Sequence, residues 1–99
     1  MKIIIKNFDC SDNLLTSLEG SPKSVGGDFD CFYNELKSLK GSPETVGGNF
    51  TCSRNKLTSL EGSPESVGGY FDCYLNKVTF TKDQVKSVCN VKGSIINNY

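Results

Sequence analysis

The chain has 99 residues and a mass of 10.8 kDa, and eleven lysines and arginines balance eleven aspartates and glutamates. That length admits one small domain, residues 1–99, and zero net charge argues against a nucleic-acid partner, which calls for a basic excess. Histidine, the commonest general base and metal ligand, is absent, and the run Ile3-Ile4-Ile5 is too short for a signal-peptide core or a membrane span, so a soluble, cytoplasmic protein with no membrane partner is expected.

Residues 1–14 read as an N-terminal cap and first strand. The β-branched isoleucines between Met1 and Lys6 are expected to add a strand or edge over the leading coil. Residues 15–77 are three gapless repeats with a period of 21: LTSLEGSPKSVGGDFDCFYNE, LKSLKGSPETVGGNFTCSRNK and LTSLEGSPESVGGYFDCYLNK. Phenylalanine recurs at 8, 29, 50 and 71, cysteine at 10, 31, 52 and 73, and asparagine at 13, 34, 55 and 76. Leucine recurs at 18, 39 and 60, proline at 22, 43 and 64, and valine at 25, 46 and 67, with a Gly-Gly pair after each valine. Fixed self-similarity of this kind marks a repeat architecture.

Each column has a physical task. Phe-x-Cys places two inward side chains on alternate residues, the period of a strand, so columns 28/49/70, 30/51/72 and 32/53/74 point to the opposite face. Gly-Gly before the strand and Gly-Ser-Pro after the second leucine supply bends, proline holding the preceding serine extended. The return path is expected to be short turns and extended chain. One coil cannot bury enough apolar surface to offset its ordering entropy, so the coils must stack in register, strand over strand as a parallel sheet.

Residues 78–99 read as a C-terminal cap. Thr81-Lys-Asp-Gln84 fits a helix-start box, with Val85 and Val88 one turn apart on the inner face. Gly93 breaks the segment, Ser94-Ile95-Ile96 closes it as a strand, and the tail 97–99 is loose.

The stretch from Phe29 to Leu36 (FDCFYNEL), with its counterparts from Phe50 to Leu57 and Phe71 to Val78, resembles the leucine-rich repeat family's leucine-x-leucine-x-x-asparagine-x-leucine signature. Phenylalanine and cysteine sit where that family often has leucine. The wording Leu-x-Ser-Leu-x-Gly-Ser-Pro-x-x-Val-Gly-Gly is similar to small leucine-rich-repeat proteins of tailed bacteriophages. The resemblance covers residues 8–80. It implies a short solenoid, mainly β, with a parallel sheet on its concave face, and a use in binding proteins.

Five cysteines suit neither a disulfide framework, being odd in number and in a core column, nor zinc. Four cysteines one per coil form a line ~14 Å long at the ladder spacing, whereas zinc gathers four sulfurs about one point. They read as stacked buried thiols, with Cys89 less buried. The asparagines read as a hydrogen-bonding ladder at the strand exits. Val-Gly-Gly-x-Phe lacks the lysine, spacing and helix of a phosphate loop. No catalytic site, metal site or cofactor is expected, and the protein is read as no enzyme.

The open sheet face remains. Its columns vary while the core columns stay constant, which leaves them free of folding constraint and available for recognition. Expected binding residues are Asp9, Asp28, Asp30, Phe32, Tyr33, Thr51, Arg54, Tyr70, Asp72, Tyr74 and Leu75, with Asn7, Ser11, Asp12, Asn49 and Ser53 beside them. Aspartates outnumber the single arginine, so the face is locally acidic, whereas Lys77, Lys82, Lys86 and Lys92 gather towards the far end. Exposed aromatics rimmed by charge are the usual material of a binding hot spot. The expected function is a protein-binding module docking on a basic surface. The phage resemblance implies a host bacterial protein as partner, with the module acting as inhibitor or modulator of host defence. A sponge for a nucleotide-like signal and a structural virion protein are the alternatives, and the oligomeric state stays open.

Overall fold

A computed structural model describes residues 5–97. The chain is a parallel β-solenoid with two sheets. β1 (Phe8–Asp9), β3 (Phe29–Asp30), β5 (Phe50–Thr51), β7 (Phe71–Asp72) and β9 (Ile95–Ile96) form one five-stranded sheet in that order. β2 (Ser24–Val25), β4 (Thr45–Val46), β6 (Ser66–Val67) and β8 (Asn90–Val91) form a second, four-stranded sheet, and α1 (Lys82–Val88) lies between β7 and β8. Every strand pair is parallel, and Phe8, Phe29, Phe50 and Phe71 stand in register. The second sheet was not expected. Its strands are two residues long, with the valine of β2, β4 and β6 buried, and they are defined by bonds to the next coil.

The repeated apolar columns merge into one core. Phe29, Phe50 and Phe71 are fully buried, and successive ring centroids from Phe8 to Phe71 lie 5.5, 5.6 and 5.0 Å apart. Leu18, Leu39, Leu60, Val25, Val46, Val67, Cys31, Cys52 and Cys73 fill the space around them. All five cysteines are free. Cys89 is as buried as the stack, contrary to expectation. Burial pushes the Cys10 and Cys73 thiols up to about 11, so both stay protonated and poorly nucleophilic at neutral pH.

Asparagine locks one coil to the next. Asn55 donates through Nδ2 to the carbonyls of Cys31 in the preceding coil (3.0 Å) and of Cys52 and Ser53 in its own (both 3.2 Å), while its Oδ1 accepts from Leu36 N–H (3.1 Å). Asn34 and Asn76 repeat the arrangement one coil away. The amides therefore bond backbone on two levels and never one another.

The two kinds of glycine do different work. Gly20, Gly41 and Gly62 have φ of 90°, 91° and 88°, turning the chain where a side chain would be strained. The Gly-Gly pairs form bends, as expected, and are also sites of close approach between coils. A Cβ on Gly47 would collide with the carbonyl oxygen of Gly26, and one on Gly68 with that of Gly47.

The C-terminal cap departs from the period. Phe71 pairs with Ile95 and Val67 with Val91, a step of 24 residues against 21 elsewhere. The extra length accommodates α1. Its capping box is complete: Gln84 N–H donates to Thr81 Oγ1 (3.1 Å) and Thr81 N–H to Gln84 Oε1 (2.8 Å). Val85 is buried, but Val88 is 44% exposed and Cys89 takes the inner position. Four residues bring a helix closer to a full turn than three do, which corrects the expected Val85–Val88 inner pair.

At the other end, residues 1–4 of the expected N-terminal strand lie outside the described residues, as does most of the tail. Ile5 and Lys6 belong to no strand, yet the Ile5 carbonyl accepts from Gly26 N–H (2.8 Å) and that of Lys6 from Gly27 N–H. Asn97, expected to be loose, donates through Nδ2 to the Phe80 carbonyl (2.8 Å).

The Asn55→Ala variant leaves the Leu36 amide without its acceptor and removes one of the two amide donors from each of the Cys31 and Cys52 carbonyls, which keep Asn34 and Asn76 respectively. It is expected to lower stability by about 1–3 kcal/mol in urea unfolding, and an unchanged midpoint would contradict the ladder's role.

Candidate functional site

On the five-stranded sheet, inward Phe and Cys alternate with outward side chains, so each coil sends its residue from columns 28 and 30 to the same open face, joined in column 32 by Phe32 and Tyr74. Asp9, Asp28, Tyr33, Arg54 and Tyr70 are exposed there, and Asp30, Phe32, Thr51, Asp72, Tyr74 and Leu75 are half-buried. Ser53, expected on the face, is buried. It sits in the column between Phe32 and Tyr74, both half-buried. Phe32 and Tyr33 meet edge to face, with ring centroids 6.1 Å apart.

Several of these side chains also serve the backbone, which corrects the expectation that the variable columns carry no folding constraint. Asn7, Asp28 and Asn49 each accept, through Oδ1, the N–H of the residue one coil on: Asp28 (2.9 Å), Asn49 (2.8 Å) and Tyr70 (2.9 Å). Asp30 accepts from Phe32 N–H (2.9 Å), and Asp72 from Tyr74 N–H (3.3 Å). Asp9 accepts from both the N–H (2.9 Å) and the hydroxyl (2.6 Å) of Ser11. Thr51 interrupts this column of carboxylates.

Their electrostatics differ. The Ser11 hydroxyl and N–H hold the exposed Asp9 carboxyl below its usual range. Burial pushes the Asp30 carboxyl up, with Asp9 and Asp28 adding repulsion, and does the same to Asp72, with repulsion from Asp30. A cation brought to this face would relieve that repulsion. Arg54 makes no salt bridge among the described residues, whereas two other cross-coil pairs, Lys56–Glu35 (2.8 Å) and Lys40–Glu61 (3.4 Å), lie on the turns beyond the strand exits.

Sequence reasoning named Tyr33, Arg54 and Leu75 but missed their conformation. With Asp12 they form one column, and all four have left-handed backbones, φ 56°, 59°, 54° and 58° in chain order. The column is pinned by ladder bonds from Asp12 N–H to the Phe32 carbonyl (2.9 Å), Tyr33 to Ser53 (3.1 Å) and Arg54 to Tyr74 (3.1 Å). A non-glycine residue in this region costs about 1–2 kcal/mol. The only available signal was position, immediately before each asparagine.

Two grooves lie away from this face. One of about 330 Å³ runs along the second sheet between Ser24, Thr45 and Ser66, with Lys92 at its rim; another of about 140 Å³ opens among Phe8, Cys10, Leu15 and Leu18. Among the described residues no group of His, Cys, Asp and Glu side chains could hold a metal ion, and no helix is long and apolar enough to cross a membrane. The face and fold together define a short β-solenoid presenting an acidic surface set with aromatic rings. No protein-family model, curated protein or solved structure matches the chain.

A carboxyl whose pKa is higher in the folded than in the unfolded chain weakens the fold when ionised. The penalty is full at neutral pH and fades as pH falls through the raised folded value towards the unfolded one. Asp30→Asn and Asp72→Asn keep an oxygen for the turn bond while removing the charge. They are expected to melt above wild type at pH 7, with the advantage disappearing by pH 3. An advantage that persists at pH 3 would show another cause.

Proposed function

We propose that this protein is a non-enzymatic protein-binding module of the leucine-rich-repeat type that docks through the open face of its five-stranded sheet onto a basic surface. The observation that carries the reading is the exposure of Tyr33 (57%) and Tyr70 (37%) beside the Asp9, Asp28, Asp30 and Asp72 carboxylates on a sheet whose opposite side is sealed core. Aromatic side chains offer large contact area for little lost side-chain entropy, and a rigid sheet limits the ordering cost of association. The left-handed row supports the same face, because strained backbone clusters where function uses it. Similarity of the repeat wording to tailed-phage leucine-rich-repeat proteins supports a host bacterial protein as partner, met in the host cytoplasm, with inhibition or modulation of a defence protein as the effect.

The tagged protein and a Tyr70→Ala/Tyr74→Ala variant, checked by thermal melting for intact folding, are to be incubated with bacterial lysate and captured proteins identified by mass spectrometry. Loss of two hot-spot aromatics is expected to lower recovery of the specific partner at least tenfold, corresponding to about 1.4 kcal/mol or more. Equal recovery by both proteins would place the binding surface elsewhere.

A further inference from the structure

The open face carries its variety along the stack rather than across it. Asp12, Tyr33, Arg54 and Leu75 occupy the same backbone position in successive coils, share one left-handed conformation, and present an anion, an aromatic hydroxyl, a cation and an aliphatic group in turn. Glycine would sit in that conformation without strain, so the fold does not call for these side chains. Asp12, Tyr33 and Arg54 are exposed and Leu75 half-exposed.

The spacing selects the shape of the element that reads this row. Coils repeat at ~4.8 Å along a parallel ladder, and the core rings repeat at 5.0 to 5.6 Å. An α-helix repeats at ~5.4 Å per turn, so over three steps it drifts from the coils by about 2 Å. An extended chain offers same-side residues every ~6.6 Å and drifts by about 5 Å over the same distance. A helix aligned with the stack keeps one side chain per turn against one coil; a strand so aligned does not.

Resting on the binding reading above, we infer that the row Asp12–Tyr33–Arg54–Leu75 sets specificity and that the partner element is an amphipathic, mainly cationic α-helix lying along the stack. Charge complementarity fixes its chemistry. At positions i, i+4, i+7 and i+11 the helix faces Asp12, Tyr33, Arg54 and Leu75 with a basic, a polar, an acidic and an apolar residue in turn, and basic residues beside that line meet the aspartate columns.

The test selects binders to the full chain from two displayed peptide libraries. One is a stable single helix randomised at those four positions. The other has equal length and randomisation but a proline at every third residue to keep it extended. The helical library is expected to yield the tighter binders by at least tenfold, with an acidic residue at the position facing Arg54. Selection against Arg54→Glu is expected to replace that acidic residue with lysine or arginine, and the original binder to lose at least tenfold in affinity. Arg54→Gly is expected to melt at or above wild type while losing all preference at that position.

Tighter binders from the extended library, competing at this face, would overturn the helix and leave the binding surface standing. Helical binders indifferent to Arg54→Glu would overturn the row. Absence of binders from both libraries would overturn the whole inference. Failure of the surface itself reads out separately, as partner capture that survives Tyr70→Ala/Tyr74→Ala.

Discussion

Coils in this protein can stand one strand-spacing apart because only hydrogen occupies the inner side of the Gly-Gly corner. Gly47 packs against the backbone of Gly26, Gly68 against Gly47, and Gly93 against Gly69. That closeness lets the second sheet form, brings each asparagine within reach of two coils, and holds the phenylalanine rings near contact distance. Remove it at one corner and the ladders on either side of the core lose register together, because every inter-coil bond shares the same spacing.

That constraint divides the two sides of the main sheet. Inward columns repeat Phe and Cys because each side chain meets a copy of itself one coil away, and a uniform stack admits one size. Outward columns meet no such copy-to-copy packing, yet they are not idle. Asp28 and Asn49 bridge coils, while Asp9, Asp30 and Asp72 cap turns within their own coil. Part of the acidity of the face is thus built into its architecture.

The destabilising features gather on this same side. Asp30 and Asp72 are raised in pKa by burial and by repulsion from neighbouring aspartates, and four bulky or charged residues hold left-handed backbones. The core and the second sheet among the described residues show no comparable strain outside glycine, apart from Leu14 in the leading coil. Stability lost on one face and retained throughout the rest is the pattern expected where a surface is kept for recognition.

The amino-acid order alone determined the coil: a period of 21, the inward Phe-x-Cys strand, the asparagine ladder and the Thr81–Gln84 helix start are all written in local spacing, which is why each was readable without coordinates. Only the tertiary structure decided the features created by contact between coils. The two-residue strands of the second sheet exist through bonds to residues in the neighbouring coil, Ser53 is buried within a column whose other members are half-exposed, and the Gly-Gly pairs are required by a neighbouring carbonyl. The inner position beside Val85 falls to Cys89 and not to Val88. The left-handed turn at Tyr33, Arg54 and Leu75 belongs to the same group: its geometry is imposed by the ladder through the backbone, and no propensity of tyrosine, arginine or leucine points towards it.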